Sequence, residues 1–168
     1  TTSTPNLTNI VEARASLYTR SRNIVLNKVF GNGGAAQGGT PVPMTITVTG
    51  DLWEMNNVSF SDDLLSVQPG LVIAPNPNMS TTCRTIDTTT SPFVWTDTSI
   101  FYQSLVAPTI TAVAGATTIS MSGAYFPGSD YIANGMAGQI NSCTVTVDVV
   151  ASTTGNKTNT IPANNVTT

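Results

Sequence analysis

The stretch Cys143-Thr-Val-Thr-Val-Asp-Val-Val150 places apolar side chains at 143, 145, 147 and 149 and polar ones between them. A period of two is how a strand reads when one face is buried and the other is wet. Working outward, the same alternation recurs in Met44-Thr-Ile-Thr-Val-Thr49 and, more briefly, in Thr118-Ile-Ser-Met-Ser122. No stretch of comparable length keeps a helical period. The chain is expected to be all-β and antiparallel.

Composition agrees with that expectation. Thr, Ser and Asn supply 59 of the 168 residues (29, 15 and 15), against 15 charged residues (9 acidic, 6 basic). Such a surface meets water through hydroxyls and amides, and threonine favours strands. Disorder is the competing reading of a Ser/Thr/Asn-rich chain. It fails because the 40% apolar residues are arranged in phase, so there is a core to bury. The length suits one domain with a two-layer core.

A net charge of −3 with six basic residues offers no stripe to neutralise phosphates, so nucleic acid is not an expected partner. No apolar run reaches the roughly 18–20 residues that span a bilayer as a helix, and no membrane insertion is expected. The chain starts at Thr1 without methionine or a secretory apolar region, and the expectation is an already processed protein.

The two cysteines, Cys83 and Cys143, are expected to pair in an extracellular β-domain; two buried free thiols are the alternative. With no histidine, two cysteines cannot complete a zinc shell, and neither a metal nor another cofactor is expected. The same absence removes Ser-His-Asp and Cys-His catalysis. Asp62 and Asp63 are adjacent, but neighbours on a strand point to opposite faces and would not meet across a substrate. No enzymatic activity on an external substrate is expected.

The chain divides into an arm, residues 1–21, and a domain, residues 22–168. Thr1 to Asn9 is polar; Val11-Glu-Ala-Arg-Ala-Ser-Leu17 then alternates, with Val11, Ala13, Ala15 and Leu17 on one face. Within the domain, strands are expected at 23–30, 44–49, 57–62, 70–74, 109–114, 117–122, 143–151 and 157–161, with Pro75-Asn-Pro77 as a turn. Turn signals at this frequency suit a β-sandwich. Residues 84–108 and 124–141 fit that plan poorly. They carry Phe93, Trp95, Phe101, Tyr102, Tyr125, Phe126 and Tyr131, seven of eleven aromatics, which either cap the core or form a contact surface.

From about Asn23 to Thr168 the chain resembles the conserved-repeat, Ig-like domains of unknown function found in large bacterial and archaeal surface proteins. The resemblance is carried by Lys28-Val-Phe30, Gly39-Thr-Pro-Val-Pro-Met-Thr-Ile-Thr-Val48, Val58-Ser-Phe-Ser-Asp62 and Gln68-Pro-Gly-Leu-Val-Ile-Ala74. Thr82-Cys83, Thr111-Ala-Val-Ala-Gly115, Ser142-Cys-Thr-Val-Thr-Val-Asp-Val149 and Gly155-Asn-Lys-Thr-Asn-Thr-Ile-Pro-Ala163 continue it in order. It implies an Ig-like antiparallel β-sandwich on a cell surface, without known catalysis. The family's Asp-Thr-Leu-Pro turn is Asp62-Asp-Leu-Leu65 here, segments 84–108 and 124–141 are longer than usual, and residues 1–21 lie outside the match.

Three polar residues keep the phase of apolar neighbours: Lys28 with Ile24, Leu26 and Phe30, Asp62 with Val58 and Phe60, and Asn159 with Ile161. If those faces point inward, they could form an isopeptide cross-link, as in some Gram-positive pilin sandwiches; a plain ion pair or simple exposure is the alternative. The arm either folds back on its own domain or adds to a neighbour as a donor strand with Val11, Ala13, Ala15 and Leu17 inward. Head-to-tail insertion propagates into a filament instead of closing. The expected function is therefore a structural subunit of an extracellular filament or cell-surface stalk whose partner is another copy. An adhesin or glycan-binding module using the loop aromatics is the alternative.

Overall fold

A computed structural model describes residues 24–31, 38–51, 54–65, 70–87, 105–126, 141–153, 161–162 and 165–168. Among them there is no helix beyond single residues of 3₁₀ type, and there are eleven strands. The long ones are β1 (Val25–Phe30), β2 (Val42–Thr49), β3 (Met55–Asp63), β9 (Thr118–Phe126) and β10 (Ser142–Ala151). The short ones are β4 (Leu71–Ile73), β5 (Ser80–Thr81), β6 (Thr85–Ile86), β7 (Leu105–Val106), β8 (Thr109–Ala112) and β11 (Val166–Thr167).

Every pairing among the described residues is antiparallel. The first sheet runs β1-β2-β10-β4, with β5 also on β10; the second runs β11-β3-β9-β8; β6 and β7 pair separately. In the first sheet Cys143, Val145, Val147 and Val149 stand opposite Val48, Ile46, Met44 and Val42. All eight are buried. In the second sheet Phe60 stands opposite Met121, and Asp62 opposite Ile119. Among the described residues, the inward side chains of both sheets make one apolar core cluster.

Two local features shape this plan. Proline has no N–H to give a ladder, so the edge along β10 breaks between β4 and β5 at Pro75 and Pro77. Across the break Ala74 N–H donates to the Asp148 carbonyl, and Asp148 N–H donates to the Pro77 carbonyl. In β3 the register shifts around Val58, where Asn57 takes a left-handed φ of 59°. A bulge there resets the phase that carries Val58, Phe60 and Asp62 inward.

The turn after β8 ties the sheets together at one end. Gly115 N–H donates to the Ile73 carbonyl, Ile73 N–H donates to the Ala116 carbonyl, and Leu64 N–H donates to the Thr117 carbonyl. Gly115 has φ +76°, a conformation glycine adopts without a side-chain penalty.

The expected strands that fall on described residues are present, with ends shifted by a few positions. Two expectations need correction. Segment 124–141 is not irregular from its start, because β9 runs on through Tyr125 and Phe126. Segment 84–108 contains the paired β6 and β7, each too short to show a period. Residues 157–160 of the expected late strand lie outside the described residues.

The face assignment is testable on β2. Ile46→Ala, which empties a fully buried site, should cost about 2–5 kcal/mol. Thr47→Ala, on the opposite face, should stay within about 0.5 kcal/mol. Urea midpoints of the two variants compare them directly, and a larger loss for Thr47→Ala would reverse the faces.

Candidate functional site

β1 alternates between exposed Val25, Asn27 and Val29 and half-buried Leu26, Lys28 and Phe30. Lys28 therefore points across the interior, because its phase is that of the residues packed on the core. On β3, Asp62 follows Val58 and Phe60 inward and is fully buried. The two meet: Lys28 Nζ donates to Asp62 Oδ2 at 2.5 Å, with side-chain exposures of 7% and 0%. The pair joins the first strand of one sheet to a central strand of the other.

Burial pushes the Lys28 ammonium below the ordinary lysine range, while the hydrogen bond and the charge of Asp62 pull it back up. Loss of solvation disfavours a charge on either partner, and the contact is what permits both to stay inside. Such a pair adds little net stability over apolar residues of similar volume, yet removing one partner alone is costly.

The second anchor is covalent. Cys83, buried just after β5, is bonded to Cys143 at the start of β10, with Cα atoms 4.8 Å apart. Cys83 N–H also donates to Thr81 Oγ1, and Thr82 N–H donates to the Thr144 carbonyl. The β5 edge is thus fastened to β10 by backbone, hydroxyl and sulfur. The ring closed by this bond spans a separation of 60 residues and contains both aromatic-rich segments.

The outer face of the first sheet is a ladder of hydroxyls. Thr45 and Thr146 share a hydrogen bond at 3.1 Å, Thr49 and Ser142 at 3.2 Å, and Thr82 and Thr144 at 3.1 Å. Beside it, Val25 and Val29 on β1 are 60% and 52% exposed. Among the described residues, β1 has β2 as its one strand partner and β8 has β9, so each sheet presents an edge strand there.

Of the residues singled out from sequence, the structure brings together Lys28 with Asp62 and Cys83 with Cys143. Asn159, the arm residues Val11, Ala13, Ala15 and Leu17, and the aromatics Phe93, Trp95, Phe101, Tyr102 and Tyr131 lie outside the described residues. Of the two roles open to the aromatics, Phe126 takes the core one: it is buried at the end of β9 and is not part of a contact surface. Tyr125 beside it is half-buried, and its N–H donates to the Arg84 carbonyl. Sequence reading did not single out the exposed Val25 and Val29. Their phase, opposite to that of Leu26, was the available signal.

Among the described residues, no group of three or more His, Cys, Asp or Glu side chains stands ready to hold a metal ion. None of their helices is long and apolar enough to cross a membrane. Comparison with protein-family models, curated proteins and solved structures gave no match.

Two outcomes follow from the anchors. Lys28→Met removes the cation from a carboxylate that stays buried, and should cost about 3–5 kcal/mol. Lys28→Met/Asp62→Leu should recover most of that loss; denaturation of wild type and both variants checks it, and an equally unstable double variant contradicts it. Cys83→Ser/Cys143→Ser should lower stability by about 4 kcal/mol by freeing the unfolded chain, read as a shifted melting midpoint.

Proposed function

We propose that the protein is a structural subunit of an extracellular filament or cell-surface stalk, joined to the next copy by strand addition from residues 1–21. On this reading the two facing sheets are an Ig-like sandwich of the kind found in conserved-repeat surface domains. Copies of itself are the partner, and no catalysis on an external substrate is assigned.

The observation that supports the reading is the edge position of β1, the first described strand after residues 1–21. In the sequence that segment precedes β1, which is an edge strand among the described residues. An alternating segment can reach the edge of a neighbouring copy, where its backbone groups find the partners that an isolated strand lacks. Val11, Ala13, Ala15 and Leu17 would face the acceptor's interior, with Glu12, Arg14 and Ser16 in water. Because donor and acceptor surfaces differ, the contact repeats head to tail.

Two further features support an extracellular structural role. A disulfide persists in oxidising compartments. A surface of paired hydroxyls with few charges resists changes in salt and pH, since little of its cohesion is ionic. A second reading, an adhesin or a module that binds surface glycans, rests on the aromatic-rich segments held within the disulfide ring.

Deleting residues 1–21 should leave a folded monomer, because β1 to β11 and the disulfide remain. Ala15→Asp should reduce assembly, since it would bury an unpaired charge in the acceptor. Light scattering and electron microscopy of wild type and both variants measure this. A truncated chain that still polymerises refutes strand donation by the arm.

A further inference from the structure

The bulge in β3 serves neither the core nor the contact between the sheets, yet it displays a reactive sequence. Asn57-Val58-Ser59 is one of five Asn-X-Ser/Thr sequences in the chain, which begin at Asn6, Asn57, Asn78, Asn156 and Asn165. In a chain this rich in Asn, Ser and Thr such sequences arise by chance, so the motif alone assigns nothing. Asn6 and Asn156 lie outside the described residues. The surroundings of the other three differ sharply.

At Asn57 the ladder between β3 and β9 steps from Met55–Phe126 to Val58–Ala124, which leaves Asn56 and Asn57 together opposite Tyr125. A bulge takes its extra residue out of the ladder and re-aims the side chain. Asn57 holds a left-handed φ of 59° and is exposed, and among the described residues no hydrogen bond engages its carboxamide. Ser59 stands two positions on. Its hydroxyl donates to the Asn57 carbonyl at 3.1 Å and accepts from Gly123 N–H at 3.3 Å, so the hydroxyl of the motif lies beside the asparagine. Across from them Gly123 adds no side chain; a Cβ there would approach within 4.0 Å of Asn57 Oδ1.

Asn78 is also exposed, with a φ of 43°, but its Nδ2 donates to Asp148 Oδ2 at 2.6 Å. The nitrogen that would have to react is held by a carboxylate. Asn165 is half-buried, and the two residues after it, Val166 and Thr167, form β11 against Phe60 and Ser59. Asn57 is thus the described motif whose asparagine is both outside the ladder and free at its amide.

We propose that Asn57 is the acceptor of an N-linked glycan, with an oligosaccharide carried on a lipid phosphate as the donor. In the transfer, Asn57 Nδ2 forms a bond to the anomeric carbon of the first sugar. The bond from that carbon to the phosphate oxygen breaks, the lipid phosphate leaves with the electron pair, and the nitrogen's proton passes to a base of the transferase. A glycan is bulky and keeps to the surface. Around Asn57 the outer side of the second sheet offers it Ser59, Ser61, Ser120 and Ser122, hydroxyls that can bond sugar without any ion being displaced. The inference rests on the extracellular reading only for the compartment in which donor and protein meet.

Peptide mass spectrometry of the protein isolated from the cells that make it tests the assignment. The peptide containing Asn57 should carry a saccharide mass, fragment to leave a sugar on Asn57, and show higher occupancy than the peptide containing Asn78. Ser59→Ala should abolish the modification, and Ser59→Thr, which keeps the hydroxyl, should retain it. The wild-type measurement stands even if a variant fails to fold. An unmodified Asn57 overturns the proposal wherever the protein is found, while surface labelling of the same cells shows separately whether the extracellular reading holds. A saccharide that persists on Asn57 in Ser59→Ala, or that sits on Asn78 and not on Asn57, overturns it as well.

Discussion

The architecture rests on the ladder between β2 and β10, where four apolar pairs on one side of the sheet are matched by hydroxyl pairs on the other. A slip of one residue in that register would turn Met44, Ile46, Val48, Val145 and Val147 to water and bring threonines into the core. Burial of the apolar row therefore selects the register, and the register aligns the remaining strands. β1 takes its phase from β2, which sends Lys28 inward opposite Ile46. β4 and β5 take theirs from β10, which brings Cys83 beside Cys143.

On this frame the polar anchors sit at opposite flanks. The disulfide fastens the β5 side, where prolines have broken the edge ladder and backbone pairing alone is sparse. The Lys28–Asp62 contact lies on the β1 side and crosses between the sheets through side chains. The two anchors thus hold different flanks of the core. That division keeps both anchors out of water. It also leaves the surface free to use hydroxyls, because the few charges are not needed to hold it together.

Much of the fold was legible as local period. The alternation at 44–49, 118–122 and 143–150 placed three long strands and told which side chains face in. The same rule gave Lys28 and Asp62 the phase of their apolar neighbours, and the structure turns both inward. It failed where the period is too short or reset. β6 and β7 have two residues each, the bulge at Asn57 shifts register, and β9 runs past the alternating 118–122 to Phe126.

What the sequence by itself determined was periodicity, charge scarcity and the inventory of reactive groups, since these depend on neighbours along the chain. Which strands lie side by side was decided only in three dimensions. β10 joins β2 across nearly a hundred residues, and Lys28 finds Asp62 at a separation of 34, through packing that no local pattern encodes. An alternating strand has a definite inner face but no label for its partner. The partner is chosen by the whole set of side chains that must share one interior.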